Sequence, residues 1–301
     1  MDVLIRALLL ACLLGALPGC NASIGDPGVW VPIDTVAGPL APEDRALPAG
    51  VPRMAANPLR VVTFNVQLGA NVDGIAAALA GNDNLAHADV FLLQEEESYQ
   101  EESAARAVRL ADALDLGCTY VPAREVGDGT HGLAILSRVP VDNVEVMDLP
   151  DSSIANPRIA LRADVHVAGS TLRIIDLHLG AMLNITDRIL QMRPAVLHAA
   201  DTVLVAGDFN SNPYVWDDGK VPVVPVSVVA GADQGPILDD YMRTLDYDTP
   251  TAGVGPTEHM YGVSSRLDAI YTRGLQVTPG QVERNMDVSD HWPLWVDVTL
   301  P

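Results

Sequence analysis

The chain has 301 residues, 49% of them hydrophobic, and its 39 acidic against 18 basic side chains give a formal net charge of −21. This hydrophobic content supports a sizeable core and excludes wholesale disorder. The acidic surplus argues against a protein that grips nucleic acid over a wide basic face, but not against an enzyme that neutralises one phosphate locally.

The first 20 residues have the pattern of a targeting segment. Arg6 precedes an apolar run over residues 7–17, which is too short to span a bilayer comfortably. The run ends in Leu-Pro-Gly-Cys20, which resembles the lipobox of bacterial lipoproteins, in which the cysteine is acylated. An ordinary signal peptide with a chance cysteine is the alternative. We therefore expect the protein in the bacterial cell envelope, either lipid-anchored through Cys20 or secreted.

Residues 21–58 contain seven prolines with scattered glycines, which indicates a partly extended linker. Trp30 and Val31 could dock on the domain, which the sequence does not decide. The composition changes at Leu59, and residues 59–301 are expected to form one domain. The stretch 213–234 resembles a strand broken twice by proline. An edge strand or packed loop is favoured there, with a rim of the site or a membrane-facing flap as the alternative.

From residue 59 onwards, helices punctuate the first half and strands dominate the second, which predicts an α/β sandwich. The predicted helices cover about 73–80, beginning with a cap at Asp73, then 101–115, 184–200 and 236–246. The predicted strands cover about 59–66, 89–94, 117–122, 131–137, 144–148, 159–167, 171–178, 203–207, 266–272, 275–283 and 292–299.

Asp208 and Asn210 follow the apolar run 203–207 and lie two residues apart. In an extended chain, side chains at this spacing point to the same side. A carboxylate and an amide placed together suit a hard cation such as Mg²⁺, or a water activated next to a phosphate. Taken alone, the pattern fits a turn after a buried strand at least as well.

Polar side chains also occur in or at the ends of other predicted strands, where a core strand would carry apolar ones. Each has a simple structural explanation; for instance, Asp268 could pair with Arg266. Left buried and unpaired, each such group would cost about 1–3 kcal/mol. A single site at which the groups satisfy one another around a cation explains them better. The residues are Asn65, Glu95, Asp176 with His178, Asp208 with Asn210, Asp268, and Asp290 with His291.

In their order along the chain, these residues lie in motifs that resemble the endonuclease/exonuclease/phosphatase superfamily, which has the deoxyribonuclease I-like fold. The resemblance covers about residues 59–300 and implies a four-layer α/β sandwich of two packed mixed β-sheets flanked by helices. It is specific for the superfamily, not for a substrate. The motifs are Thr63-Phe64-Asn65, Leu93-Gln94-Glu95, Ala134-Ile135-Leu136-Ser137-Arg138, Leu177-His178-Leu179, Gly207-Asp208-Phe209-Asn210, Arg266-Leu267-Asp268 and Ser289-Asp290-His291.

The resemblance implies a metal site for Mg²⁺, with Mn²⁺ as a second possibility. Asn65 and Glu95 match the family's metal residues, and Glu95 matches the direct carboxylate ligand. Asp290 matches a further acidic residue of the metal site. Asp208 and Asn210 match the pair that orients the attacking water and contacts the phosphate or a metal.

The resemblance also implies catalytic roles. Asp268 and His291 match a dyad in which the carboxylate fixes the imidazole. His178 matches the histidine that contacts the scissile phosphate or assists the leaving group. Asp208 and Asn210 complete the catalytic set. Whether Asp208 or His291 removes the proton from water stays open at this point.

The chain departs from the family pattern at two positions. An asparagine common before Ala-Ile-Leu-Ser-Arg is missing, and its contact is either absent or supplied by His131. Asp176 shares a strand face with His178 and could orient it, lengthen the metal site or merely replace a hydrogen-bonding Asn.

Arg188 and Gln191, on one face of the following helix, are expected to position other residues. The candidates for steering a phosphate are Arg124, Arg138, Arg158 and Arg162.

The leading hypothesis is a monomeric, Mg²⁺-dependent phosphodiesterase or nuclease that acts on a phosphoester substrate outside the cytoplasm. A phospholipid or inositol-phosphate phosphohydrolase of the same fold is the first alternative, which membrane tethering would favour. A non-catalytic surface binding module that kept the fold is the second. Substrate specificity depends on loops outside the metal core, so the fold does not decide among them.

Overall fold

The structure is a computed structural model that describes residues 26–51, 54–150, 156–181, 183–211, 234–260 and 263–301. The predicted targeting segment lies outside the described residues, as does the stretch 213–234 except for its last residue.

Within the described residues, 16 strands form two large sheets and one hairpin. The strands are β1 (Val31–Pro32), β2 (Glu43–Arg45), β3 (Leu59–Asn65), β4 (Val90–Tyr99), β5 (Gly117–Val126), β6 (Gly129–Ser137), β7 (Val141–Asp148), β8 (Ile159–Val167), β9 (Ser170–His178), β10 (Val203–Asp208), β11 (Glu258–Met260), β12 (Val263–Ser265), β13 (Asp268–Arg273), β14 (Gln276–Val277), β15 (Gln281–Val282) and β16 (Leu294–Thr299).

The first sheet has eight strands in the order β14-β16-β3-β4-β6-β5-β2, with β15 paired to β16. The second has six strands in the order β1-β7-β8-β9-β10-β13, and β11 and β12 form the separate hairpin. Both large sheets are mixed, because β3 pairs with β4 and β9 with β10 in parallel, whereas the other neighbours are antiparallel.

The helices are α1 (Val72–Gly81), α2 (Arg106–Leu114), α3 (Ile185–Val196) and α4 (Gln234–Thr244). The side chains of α1 and α2 pack on the outer face of the eight-stranded sheet, and those of α3 and α4 pack on the outer face of the six-stranded sheet. Among the described residues, no helix has the length and apolar character needed to cross a membrane.

Side chains alternate between the two faces of a strand, so each strand packs on both sides of its sheet. On β3, Leu59 and Val61 point into the core between the sheets, whereas Val62 and Phe64 pack under the helices. On β10, Leu204 belongs to the core between the sheets, while its neighbours in sequence pack under α3 and α4. These layers confirm the predicted sandwich of two packed mixed sheets flanked by helices.

Several predicted boundaries were wrong in detail. Helix α1 is capped by Asn71, whose Oδ1 accepts a hydrogen bond from the backbone N–H of Gly74 at 3.1 Å, and not by Asp73. Strand β4 continues to Tyr99 instead of ending before Glu95. The segment predicted as one strand over 275–283 contains two short strands, and the β11–β12 hairpin lies where no strand was predicted.

The proline-rich stretch contributes to both sheets over residues 26–51. Strand β1 pairs with β7 and β2 pairs with β5, each in antiparallel orientation. The guanidinium of Arg162 lies 4.2 Å from the centre of the Trp30 ring, and Leu40 is buried. This part of the predicted linker is therefore packed on the domain, and Trp30 contacts the domain through Arg162.

Candidate active site

The central strands carry polar side chains at one end of their inward faces. Leu204 and Ala206 on β10 point into the core between the sheets, so Asp208, two residues further, points to the same side. The same alternation places Asn65 beyond Val61 on β3, and His178 beyond Ile174 on β9. Because β3, β9 and β10 end with these residues, the polar groups meet at one edge of the sandwich.

Asp208 lies at the centre of this site and is almost completely buried. In the sheet it is paired with His178 on one side and with Asp268 on the other. Its Oδ2 accepts a hydrogen bond from Asn65 Nδ2 at 3.0 Å, and it lies 3.4 Å from His178 Nε2 and 3.8 Å from His291 Nε2. One carboxylate oxygen therefore faces two imidazoles and an amide.

Asn210 reaches the site by a turn, not by the extended chain that the sequence suggested. Its φ of +50° lies in the left-handed region, which asparagine tolerates better than most residues. Its backbone N–H donates to Asp208 Oδ1 at 2.8 Å, and its Nδ2 donates to the carbonyl of Leu179 at 2.9 Å. The prediction that Asp208 and Asn210 share a side through strand geometry was wrong, and the turn brings them together instead.

Glu95 occupies a β-bulge in the middle of β4. The pairing of β4 with β6 shifts between Gln94 and Glu96, and Glu95 has a φ of +61°. A glutamate in the left-handed region is strained, and such strain often occurs at functional sites. The bulge places Glu95 Oε1 3.9 Å from His178 Nε2, with its side chain partly open to solvent.

His291 and Asp268 form a buried pair, with His291 Nδ1 2.8 Å from Asp268 Oδ2. Burial disfavours the charged imidazolium, but the carboxylates of Asp268, Asp208 and Asp290 outweigh burial and raise the pKa of His291 well above its usual value. The alternative pairing of Asp268 with Arg266 does not occur, because Arg266 donates to Asp239 at 2.8 Å.

His178 has two different partners on its two ring nitrogens. Nδ1 lies 2.9 Å from Arg158 Nη1, and Nε2 faces Asp208. Since a guanidinium is a donor only, Nδ1 must accept, and a neutral ring therefore carries its proton on Nε2. Burial and the positive charge of Arg158 lower the pKa of His178 well below its usual value. His178 is thus a neutral ring that points an N–H at the site.

Asp176 does not orient His178 through any contact in the described residues. Its Oδ1 accepts a hydrogen bond from Gln94 Nε2 at 2.6 Å, which joins the two sheets. The side chain is fully buried, and burial raises its pKa well above the usual value for a carboxyl. Of the three roles considered for Asp176, hydrogen bonding within the core is the one that agrees with this arrangement.

Arg188 and Gln191 hold the loop that follows β9. Arg188 is fully buried and donates to the carbonyl of Ala181 at 2.9 Å and to the side chain of Gln234. Gln191 Oε1 accepts from the backbone N–H of Gly180 at 2.8 Å. Both contacts agree with the positioning role predicted for this pair.

The oxygen donors fit a hard divalent cation such as Mg²⁺. Glu95, His178 and Asp208 bring candidate ligand atoms within 4.8 Å of one another. Because His178 Nε2 carries a proton, the carboxylates of Glu95 and Asp208 are the candidate ligands of this group. Asp290 is half-buried, and burial, together with the nearby charge of Glu95, raises its pKa. Asn65 is placed differently, because its Oδ1 already accepts from the backbone N–H of Gln67 at 3.1 Å. Asn65 therefore holds the Asp208 carboxylate, and any part in binding a metal would need its second lone pair.

Two residues in or next to β11 were not predicted from the sequence to belong to the site. Thr257 Oγ1 accepts from the backbone N–H groups of Leu267 and Asp268, each at 3.0 Å, and so fixes the start of β13. Glu258 is buried opposite His291 in an isolated bridge, and burial raises its pKa to about 7. A strand of three residues leaves too short a pattern to be recognised.

The fold and this set of acidic, amide and histidine side chains define a deoxyribonuclease I-like protein with a candidate phosphoester-hydrolysing site. A profile of the endonuclease/exonuclease/phosphatase family matches residues 62–291. The chain belongs to this family.

Solved structures with the same fold are only distantly similar in sequence. An endonuclease/exonuclease/phosphatase from Beutenbergia cavernae gives a TM-score of 0.61 at 21% identity, over 81% of this chain and 72% of that one. The human Nocturnin catalytic domain with bound sulfate gives 0.54 at 17%, over 81% and 94%. The mannosyl-6-phosphatase of Bacteroides thetaiotaomicron gives 0.53 at 15%, over 80% and 100%. A search of curated proteins gave no match.

Proposed function

We propose that the protein is a metal-dependent phosphoester hydrolase, specifically a phosphodiesterase or nuclease that activates water. The observation that carries this proposal is the Asp208 carboxylate, held between the Nε2 atoms of His178 and His291, with Asp268 behind His291. Membership of a family named for nucleases and phosphatases supports the same reaction class.

Glu95 and Asp290, with Asp208, would hold Mg²⁺, or Mn²⁺ in its place. The bound cation would neutralise charge on the phosphate oxygens and on the leaving group. Asn65 would keep the Asp208 carboxylate in place through its 3.0 Å hydrogen bond. The bulge at Glu95 would aim that carboxylate out of the sheet and into the site.

Asp208 is the stronger candidate for the general base. Burial, together with the negative charge of Asp268, raises the pKa of Asp208 to about 7, close to the value at which a base works best near neutral pH. Oδ1 accepts from the N–H of Asn210 and Oδ2 accepts from Asn65, but Oδ2 is the oxygen that also faces the two imidazoles. Oδ2 is therefore the atom that would take the proton from water. The raised pKa of His291 makes that ring a proton-bearing donor instead of a base.

The two histidines would stabilise the negative charge that develops on the phosphate in the transition state. His291 would offer its Nε2–H as an imidazolium, with Asp268 fixing Nδ1. His178 would offer the Nε2–H of a neutral ring. Asn210 would complete this side of the site, since its turn holds both Asp208 and the carbonyl of Leu179.

The experiment is hydrolysis of bis(p-nitrophenyl) phosphate and of duplex DNA, with and without Mg²⁺, by the wild type and by Asp208→Asn. The variant removes the proposed base at nearly constant shape, so we expect a loss of at least about 100-fold in kcat. Asp112→Asn, at an exposed side chain, is the control. Equal turnover by Asp208→Asn and the wild type would contradict the proposal.

The lipobox-like segment favours phospholipid or inositol-phosphate head groups as the second substrate class, because a chain anchored at Cys20 would work beside a membrane. We propose an envelope location with a lipid anchor. Metabolic labelling with a radioactive fatty acid should mark the wild type and not Cys20→Ser. Labelling of neither protein would leave secretion as the remaining form of export.

A non-catalytic binding module is the alternative from a different class of function. Calorimetric titration with Mg²⁺ separates the two, because the hydrolase requires the cation and the module does not. Absence of Mg²⁺ binding and of any thermal shift, together with no turnover on any phosphoester, would favour the module.

A further inference from the structure

The four arginines that were predicted from the sequence to steer a phosphate fall into two groups. Arg162 pairs with Glu145 at 2.7 Å, and Arg138 donates to the backbone carbonyls of Ala86 and Ala88. These two guanidinium groups are committed to structural partners. Arg124 and Arg158 are the other two.

Neither Arg124 nor Arg158 forms an ion pair with a carboxylate of the described residues. Their Nε atoms are buried and make no hydrogen bond within the part of the chain that the structure describes. Within the described residues, the one hydrogen bond of Arg158 goes to His178 Nδ1, and burial lowers the pKa of Arg158 to about 10. Burial likewise lowers the pKa of Arg124. The nearby Glu95 carboxylate favours the charged form of both arginines but makes no ion pair with either within the described residues, so burial still lowers both pKa values. An anionic ligand would offset this cost of burial.

His131 is 4% exposed, and burial lowers its pKa; its ring also lies close enough to both arginines for their charges to lower that pKa further. It is the direct cross-strand neighbour of Arg124, next to an irregularity in the β5–β6 pairing. Its Nδ1 is 3.5 Å from Glu97 Oε1, too far for a regular hydrogen bond, and both ring nitrogens lack a hydrogen-bond partner among the described residues. Buried polar atoms of this kind normally have a partner.

His131 and Arg158 open towards the candidate active site, and Arg124 lies beside His131 on the neighbouring strand. His131, Arg158 and His178 line a small cavity between the two sheets, and the His131 and His178 rings lie 6.3 Å apart. The Nε2 edge of His178 faces Asp208, while its Nδ1 edge faces Arg158. An anion on the Arg158 side would thus be a direct neighbour of a phosphate on the Asp208 side.

We propose that Arg124, His131 and Arg158 form a subsite for a second phosphate group of the substrate, next to the scissile phosphate at Asp208. This inference rests on the proposed phosphoester hydrolysis. Guanidinium groups suit phosphate because their planar donors match its oxygens. The preferred substrates are therefore phosphoesters with two phosphates close together. Neighbouring phosphates of a nucleotide chain and a small bisphosphate share this chemistry.

The test compares substrates that differ by one phosphate, under Mg²⁺. One arm uses the thymidine dinucleotides TpT, pTpT and TpTp, and the other uses an inositol monophosphate and an inositol bisphosphate. In at least one arm, the member with the additional phosphate should have a kcat/KM about tenfold higher or more, as charge-assisted hydrogen bonds allow. The arm that shows the preference identifies the source of the second phosphate.

In Arg124→Gln, this preference should fall towards one, and Arg162→Gln, whose arginine is held by Glu145, should retain it. A wild type that hydrolyses these substrates without preference in either arm overturns the subsite and leaves the proposed function intact. A wild type that hydrolyses none of them, nor any diester, overturns the proposed function.

A binding measurement without turnover decides the subsite independently. Inorganic pyrophosphate is titrated calorimetrically into metal-free protein in EDTA. We expect Arg124→Gln and Arg158→Gln to raise Kd about tenfold or more, and Arg162→Gln to leave it unchanged. Thermal melting checks that each variant is folded. Equal affinity in Arg124→Gln, Arg158→Gln and the wild type, or no binding by the wild type, overturns the proposal.

Discussion

His291 Nδ1 lies 2.8 Å from Asp268 Oδ2, although the strands next to these residues, β16 and β13, belong to different sheets. Asp268 begins β13 of the six-stranded sheet, and His291 precedes β16 of the eight-stranded sheet. The contact therefore spans the edge of the sandwich and fixes the ring that faces Asp208. The Asp268 carboxylate also makes the largest of the charge contributions that raise the pKa of His291.

Replacing Asp268 by Asn should lower kcat about 100-fold or more. The amide keeps the shape but removes the charge, so the pKa of His291 falls and the ring loses its fixed orientation. The measurement is kcat across pH 5–9, in which the variant should also lose activity at a lower pH on the alkaline side. Asp112→Asn is the control at an exposed position. An unchanged pH profile would show that Asp268 does not act through His291.

Replacing Glu95 by Gly should abolish Mg²⁺ binding without destabilising the fold. The φ of +61° at Glu95 suits glycine, so the substitution removes the carboxylate and leaves the bulge unstrained. Calorimetric titration with Mg²⁺ measures the first effect, and urea unfolding measures the second.

Ala168→Gly is the matched control for this variant. Ala168 also has a positive φ, +48°, but lies in the β8–β9 turn away from the acidic cluster. It should gain stability in the same way, by roughly 0.5–1 kcal/mol, and keep its Mg²⁺ affinity. Mg²⁺ binding of wild-type strength by Glu95→Gly would remove Glu95 from the metal site.

His178 should exist as the neutral tautomer with its proton on Nε2 in the free protein. The guanidinium of Arg158 leaves Nδ1 no role but acceptor, and the lowered pKa keeps the ring neutral at pH 7. Nitrogen-15 NMR of histidine-labelled protein distinguishes the two ring nitrogens. In Arg158→Gln the pKa of His178 should rise, because a positive charge is removed. A proton found on Nδ1 in the wild type would contradict the assignment.

Much of the site could be predicted because the alternation of side chains between the two faces of a strand depends only on the local sequence. An apolar run that ends in Asp208 places that side chain on a known face of β10, and the same reasoning holds for His178 on β9. Parallel strands that end at one edge bring the two together, as their sheet pairing shows. The order of the motifs along the chain added the family and, with it, the two-sheet architecture.

What could not be predicted depends on partners far away in sequence. The bulge at Glu95 exists only in the pairing of β4 with β6, so nothing in Gln94-Glu95-Glu96 itself marks it. The hairpin that contains Glu258 is too short for a periodic pattern. Arg162 is paired with Glu145, whereas Arg158 forms no ion pair within the described residues. This difference depends on which carboxylates the fold brings near each arginine.

Glu96 gives the clearest pH dependence of stability. The residue is 1% exposed, and neither carboxylate oxygen has a hydrogen-bond partner among the described residues. Burial raises its pKa to about 8, while an unfolded glutamate has a pKa of about 4.3. Between these values the folded state keeps a proton that the unfolded state has lost. The free energy of unfolding must therefore fall as the pH rises through this range.

Replacing Glu96 by Gln should remove this dependence, because the amide cannot ionise. Urea unfolding at pH 5.5 and pH 9 should show that wild-type stability, relative to the variant, drops by roughly 3 kcal/mol between the two conditions. Glu101→Gln, at an exposed glutamate near the end of the same strand, should follow the wild type at both pH values. Parallel curves for the wild type and Glu96→Gln would mean that Glu96 is ionised in the folded protein and has a cationic partner, for which Arg106 is the nearest candidate.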